Sequence, residues 1–126
     1  MDHTGIDIVA YHKALKQRLG ISVKSRTRLP RSEAEAVYLF RGATDRESLL
    51  AACEAFGCEA WLAVYVESEC MGDLFLTSLG NYDQKYRTGK ATEGWSMAAR
   101  HVQAYATDTK IKHIHVDFKV NNWWQS

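Results

Sequence analysis

Asp7, Ser22 and Lys24 are the residues whose types and spacing suggest chemistry. Ser22 and Lys24 lie two apart in an alternating segment, so they share one strand face. Asp7 sits in the apolar segment just before it, and a hairpin between the two segments brings the carboxylate to that face. A carboxylate beside a lysine, with arginines flanking, suits a phosphodiester. The carboxylate would hold a hard cation such as Mg²⁺. The cation would polarise the phosphate and activate water, while the lysine positions or stabilises developing charge. Arg26 and Arg28 would grip neighbouring phosphates.

The elements that must position these groups follow from pattern. Residues Gly5 to Tyr11 (GIDIVAY) are short, apolar and β-branched, which predicts a strand. HKALKQ, residues 12 to 17, reads as a connection. From Arg18 to Arg28 the chain alternates: Leu19, Ile21 and Val23 on one face, Ser22, Lys24, Arg26 and Arg28 on the other. That period of two predicts a strand with one buried face, paired with the first in a hairpin.

Pro30 begins a loop, and Ala36 to Phe40 is expected to be extended. Thr44 to Glu47 (TDRE) fits a capping box with Thr44 as N-cap. Leu49, Leu50, Cys53 and Phe56 follow at helical spacing, and Gly57 is a helix stop. Trp61 to Val66 (WLAVYV) reads as a strand buried on both faces. ESECMG, residues 67 to 72, predicts a turn, Asp73 to Leu79 another strand, and Asn81 to Lys90 a loop or short helix. A second amphipathic helix is expected from near Thr92, with Trp95, Ala98, Ala99, Val102 and Ala106 on its apolar side. Ile111 to Val120 forms the last strand. Its Ile114, Val116, Phe118 and Val120 face one way, and His113, His115, Asp117 and Lys119 the other. The order predicts one α/β domain over residues 1 to 126, a central mixed sheet flanked by helices.

An aspartate in an apolar strand (GIDIVAY), followed by a hairpin into a strand ending in VKSR (GISVKSR), resembles the PD-(D/E)XK nucleases. That superfamily includes restriction endonucleases and archaeal Holliday-junction resolvases. The resemblance covers roughly residues 4 to 79. It implies a restriction-endonuclease-like fold with a core in the order αβββαβ, an activity on DNA, and Mg²⁺ as cofactor. Asp7 matches the metal-binding aspartate and Lys24 the catalytic lysine. The family's second acid, two residues before the lysine, is Ser22 here. Gly5-Ile6 stands where the family often has a proline. A displaced acid would have to come from elsewhere, and Glu35, Glu47 and Asp2 are the candidates, with Glu47 better explained by capping. The family usually has a helix ahead of its first strand, whereas this sequence starts almost at the strand, so the expectation is that this helix is absent or that a neighbouring subunit supplies its packing. A sheet face left bare in this way would be an apolar patch and favours a homo-oligomer, a dimer first of all.

Charge supports a polyanion partner. The formal net charge is +1, but residues 1 to 32 carry seven Lys/Arg against Asp2 and Asp7. No acid occurs between Ile8 and Ser32, where Lys13, Lys16, Arg18, Lys24, Arg26 and Arg28 lie. Such a stretch attracts nucleic acid, or is simply a solvated basic face. His113, His115 and Asp117 offer a transition-metal site or a polar outer face. The segment NYDQKYR (residues 81 to 87) is a solvated loop or a backbone contact for nucleic acid. Trp123 and Trp124 are expected to pack, with base stacking as the alternative.

Three cysteines in no metal spacing are expected to be free thiols. With no signal region and no apolar run of ~18 residues, the expected location is the cytoplasm, without a membrane partner. Two functions follow: a Mg²⁺-dependent nuclease, or a catalytically inactive nuclease-fold module that binds nucleic acid or serves structurally.

Overall fold

A computed structural model describes residues 5–27, 36–40, 43–87 and 93–118 of the chain. The hairpin forms, but its first strand is shorter than the expected Gly5 to Tyr11: it begins at Ile8, so Asp7 lies in the bend just before it and not within the strand. Strand β1 (Ile8–His12) runs antiparallel to β2 (Gln17–Thr27), with Ile8 opposite Ile21 and Tyr11 opposite Arg18. Lys16, at φ 51°, closes the turn between them. Strand β3 (Ala36–Phe40) and helix α1 (Ala43–Phe56) then carry the chain over to β4 (Glu59–Ser68), which lies parallel to β2. Parallel neighbours need such a crossover, because no tight turn can join them.

Strand β5 (Met71–Ser78) returns antiparallel to β4, helix α2 (Leu79–Lys85) follows, and strand β6 (Glu93–Ser96) pairs antiparallel with β3. Helix α3 (Ala99–Thr107) leads to β7 (Ile111–Asp117), which lies antiparallel against β5. Among the described residues the result is an α/β fold: a curled, mixed sheet in the order β1-β2-β4-β5-β7, three helices, and a small β3–β6 sheet.

Several boundaries differ from the sequence pattern for identifiable reasons. Thr44 lies inside α1, which already begins at Ala43, so it is not the cap. The helix does stop at Gly57, where φ is +65° and the Cys58 N–H reaches back to the Cys53 carbonyl at 2.8 Å. The expected 67–72 turn shrinks to Glu69 and Cys70, as β4 and β5 extend into it. Glu93 to Ser96 is a strand and not the start of a helix. Glu93 and Trp95 are buried while Gly94 and Ser96 are half-buried, a period of two that four residues barely display. Its partner β3 is remote in sequence, so only tertiary pairing defines it.

The sheet separates two clusters. On one side Leu62, Val64 and Phe75 pack with Leu49 and Cys53 of α1, Tyr82 of α2, Tyr105 of α3 and Trp95 of β6. An aromatic stack runs through it, with Trp95 and Tyr105 centroids 4.1 Å apart and Phe75 and Trp95 at 5.6 Å. On the other side Leu19, Ile21 and Ala63 are joined only by strand residues, Trp61, Leu74 and Leu76 among them. The outer strands leave Ile8, Ile114 and Val116 of that face exposed. Being central, β2 is buried on both faces between Leu19 and Ser22, not on the one face its alternation suggests. The apolar set of β7 correspondingly points to this open face, and its His/Asp set to the helical side. No helix among the described residues is long and apolar enough to cross a membrane.

Candidate functional site

Gly5 begins the site. Its φ of +80° is a left-handed conformation that favours glycine. A Cβ there would stand 2.8 Å from the Leu49 backbone nitrogen of α1. Neither proline nor alanine fits, so Gly5 is needed for the start of β1 to pass against the helix. Two residues on, Asp7 is locked to β2. Its N–H donates to the Ile21 carbonyl at 2.9 Å, and its Oδ2 accepts from the Val23 N–H at 2.7 Å. One carboxylate oxygen is thus committed to orienting the side chain.

Ser22 and Lys24 share the helical-side face of β2, opposite Leu62 and Val64 of β4. A cavity of about 300 Å³ there is lined by Asp7, Ser22, Lys24, Phe40, Asp45 and Ser48, with Gly5 at its edge. The three residues singled out by sequence therefore come together. The carboxylate that joins them is Asp45, in the first turn of α1, and not one of the three expected candidates. Glu47 is exposed two residues further along the helix and is not part of the cavity. Glu35 and Asp2 lie outside the described residues. Asp45 is legible in the sequence as an acid near a helix start, but only the crossover of α1 over β2 brings it to Lys24.

Gly20 sets how closely α1 approaches. A Cβ at Gly20 would fall 2.6 Å from Cys53 Sγ, so the helix rests directly on β2. The N-terminal end of α1 is held by Arg46. Its guanidinium donates to Glu93 at 3.0 Å from Nε and bonds both Asp83 oxygens, while Arg87 reaches Glu93 at 3.0 Å. Arg46 also lies 5.2 Å over the Phe40 ring, which lines the same cavity. The Glu93 side chain is only 5% exposed, so this is a buried ionic lock across α1, α2 and β6.

The other basic residues separate. Arg26 stays near Lys24 and donates from Nη1 to the Ala36 carbonyl at 3.0 Å. Lys13 and Lys16 are exposed in the hairpin turn, at the far end of β1 from Asp7, about 20 Å away at ~3.4 Å per strand residue. Arg18 is also at that end and binds the Phe56 carbonyl at 3.1 Å. Arg28 lies outside the described residues, as do Trp123 and Trp124. Tyr82 of the NYDQKYR segment is fully buried in α2, which removes it from any solvated loop. All three cysteines are free thiols.

His113 and His115 do not stand as metal ligands. Both bond Asp73 Oδ1 of the neighbouring β5, at 2.8 and 2.7 Å, and His115 Nε2 contacts Asp117 at 3.0 Å. Among the described residues no group of three His, Cys, Asp or Glu side chains is arranged to hold a metal ion. The bonds to Asp73 and then Asp117 favour the imidazolium, so the His115 pKa lies above its usual value. A raised folded-state pKa means this clamp is fully present below the unfolded value of ~6.5 and is lost as pH rises through the folded value. NMR titration is expected to show His115 titrating above ~6.5, and Asp73→Asn to return it toward that value. A His115 pKa unmoved by Asp73→Asn would refute the pairing.

The chain matches no protein-family model, no curated protein and no solved structure.

Proposed function

We propose that the chain has a restriction-endonuclease-like core and acts as a Mg²⁺-dependent nuclease on DNA. The observation that carries this reading is one cavity lined by Asp7, Lys24 and Asp45 together. The hairpin β1–β2 followed by a helical crossover into the parallel strand β4 supports it; the third strand of an αβββαβ core has no counterpart in the main sheet, because β3 pairs with β6 instead.

The residues fit Mg²⁺ in kind: two carboxylates and the Ser22 hydroxyl are hard oxygen donors. A site of one or two carboxylates, completed by waters and substrate phosphate, is how this ion is commonly held. When bound, the ion supplies polarisation of the scissile phosphate and an activated water. Asp7 contributes the oxygen not committed to Val23, and Asp45 contributes from across the cavity. Lys24 stabilises charge developing on the phosphate. Arg26 holds an adjacent phosphate.

The test is cleavage of labelled DNA by wild-type protein in Mg²⁺ and in EDTA, alongside Asp7→Ala. Strand scission that needs Mg²⁺ and vanishes in Asp7→Ala supports the reading. Scission that survives Asp7→Ala in a clean preparation sinks the assignment, as does none at all.

Ser22 at the position of the family's second acid favours a second reading. In it the fold binds nucleic acid without turnover, as an oligomeric or structural module. The exposed Ile8, Ile114 and Val116 would then serve as the contact between copies. This reading gives salt-sensitive binding without scission, and binding indifferent to salt removes it.

A further inference from the structure

A second depression, of about 650 Å³, shares Lys24 and Asp45 with the Asp7 cavity. It runs along the end of β2 and the outer side of β3, past Ser25, Arg26 and Tyr38. Tyr38 is the residue of β3 that points outward. Its neighbours Val37, Leu39 and Phe40 are 4% exposed or less, whereas Tyr38 is 56% exposed. Its ladder partner is Gly94, which places no side chain alongside the ring. The lining of this depression therefore includes an accessible aromatic ring and two cations, Lys24 and Arg26. Arg26 is tied to β3 through the Ala36 carbonyl, which keeps the cation close to the ring.

An aromatic ring interleaved with cations is the chemistry that binds single-stranded nucleic acid. Rings stack on bases and cations follow the backbone. In a duplex the base faces are already stacked and cannot reach Tyr38. We infer that the substrate enters as an unpaired strand, with a base stacked on Tyr38 and its phosphates led past Arg26 and Lys24 to Asp7 and Asp45. This inference rests on the nuclease reading of the Asp7 cavity and assigns that site its substrate class: single-stranded or strand-separated nucleic acid.

The experiment measures binding of short fluorescent oligonucleotides by anisotropy, without divalent cation, to wild type, Tyr38→Phe and Tyr38→Ala. The probes are a single strand in DNA and in RNA form, its duplex, and the same strand with abasic sites. Wild type and Tyr38→Phe are expected to prefer the single strand, and Tyr38→Ala to bind it about tenfold more weakly. The abasic strand is expected to lose affinity for wild type by a similar factor, which reads the stack without depending on a variant. The sugar that binds tighter tells DNA from RNA. Equal binding of abasic and base-bearing strands, or unchanged binding by Tyr38→Ala, overturns the inference. Mg²⁺-dependent cleavage of duplex alone, indifferent to Tyr38→Ala, overturns it while leaving the nuclease reading intact. Absence of binding to every probe overturns the inference, while the scission assay in Mg²⁺ decides the nuclease reading separately.

Discussion

Lys24→Ala is expected to slow Mg²⁺-dependent strand scission by about 10²–10³-fold, the usual loss when one preorganised charge-stabilising donor is removed. Mg²⁺ binding, followed by calorimetry, should change little, because carboxylates hold the ion and Lys24 repels it. Asp7→Ala should show the opposite division and lose ion binding along with scission. The two variants therefore separate a positioned lysine from a metal ligand in one cavity. Ser22→Glu completes the set. Ser22 lines the cavity between Asp7 and Lys24, so a carboxylate there is expected to raise Mg²⁺ affinity. If Ser22→Glu leaves ion binding unchanged while the protein stays folded, the cavity is not the ion site. Equal losses of ion binding in Lys24→Ala and Asp7→Ala would instead refute the division between a positioned lysine and a metal ligand.

Arg46→Ala is expected to cost about 3–5 kcal/mol of unfolding free energy, the range for breaking a buried pair by removing one partner. The side chain is 13% exposed and Glu93 5%, so water replaces the Glu93 bonds poorly, whereas Asp83, at 33%, stays solvated and offsets part of the loss. Arg87 still reaches Glu93, which places the expected cost toward the lower end of that range. The loss is not confined to stability. Arg46 directly follows Asp45, and its bonds to Asp83 and Glu93 fix the first turn of α1. Activity should fall further than the unfolded fraction explains. Denaturant midpoints and single-turnover rates on the folded protein check the two parts. A cost below about 1 kcal/mol would place Arg46 among ordinary surface pairs.

The hairpin is the most legible part of the molecule. Alternation from Arg18 to Arg28 and the apolar run before it set the pairing that brings Asp7 to Ser22 and Lys24. The α1 helix and the β4–β5 pair are readable for similar reasons, since their patterns are local. Pattern fails where tertiary pairing overrides it. The segment at Trp95 carries apolar residues at helical spacing, yet β3 draws its first four residues into a ladder. Thr44 looks like a cap, but the helix begins one residue earlier. The exposure of Ile114 and Val116 depends on which sheet face the helices cover, and periodicity cannot choose between faces. Asp45 escapes the sequence pattern for a similar reason. Its approach to Lys24 is fixed by the contact of α1 with β2 at Gly20 and by the Arg46 lock, neither of which leaves a spacing in the sequence.

Among the described residues strand β1 pairs with β2 alone and forms one edge of the sheet. Its Ile8, Val9 and Tyr11 are all at least half exposed, so little apolar contact holds it down. Such an element can peel away with far less free energy than global unfolding needs. Asp7 directly precedes this edge strand and is held to β2 by its own two bonds, while Lys24 and Asp45 stand on β2 and α1. Fraying of that one short strand would therefore leave Lys24 and Asp45 in place, and only the two bonds to Ile21 and Val23 would keep Asp7 beside them.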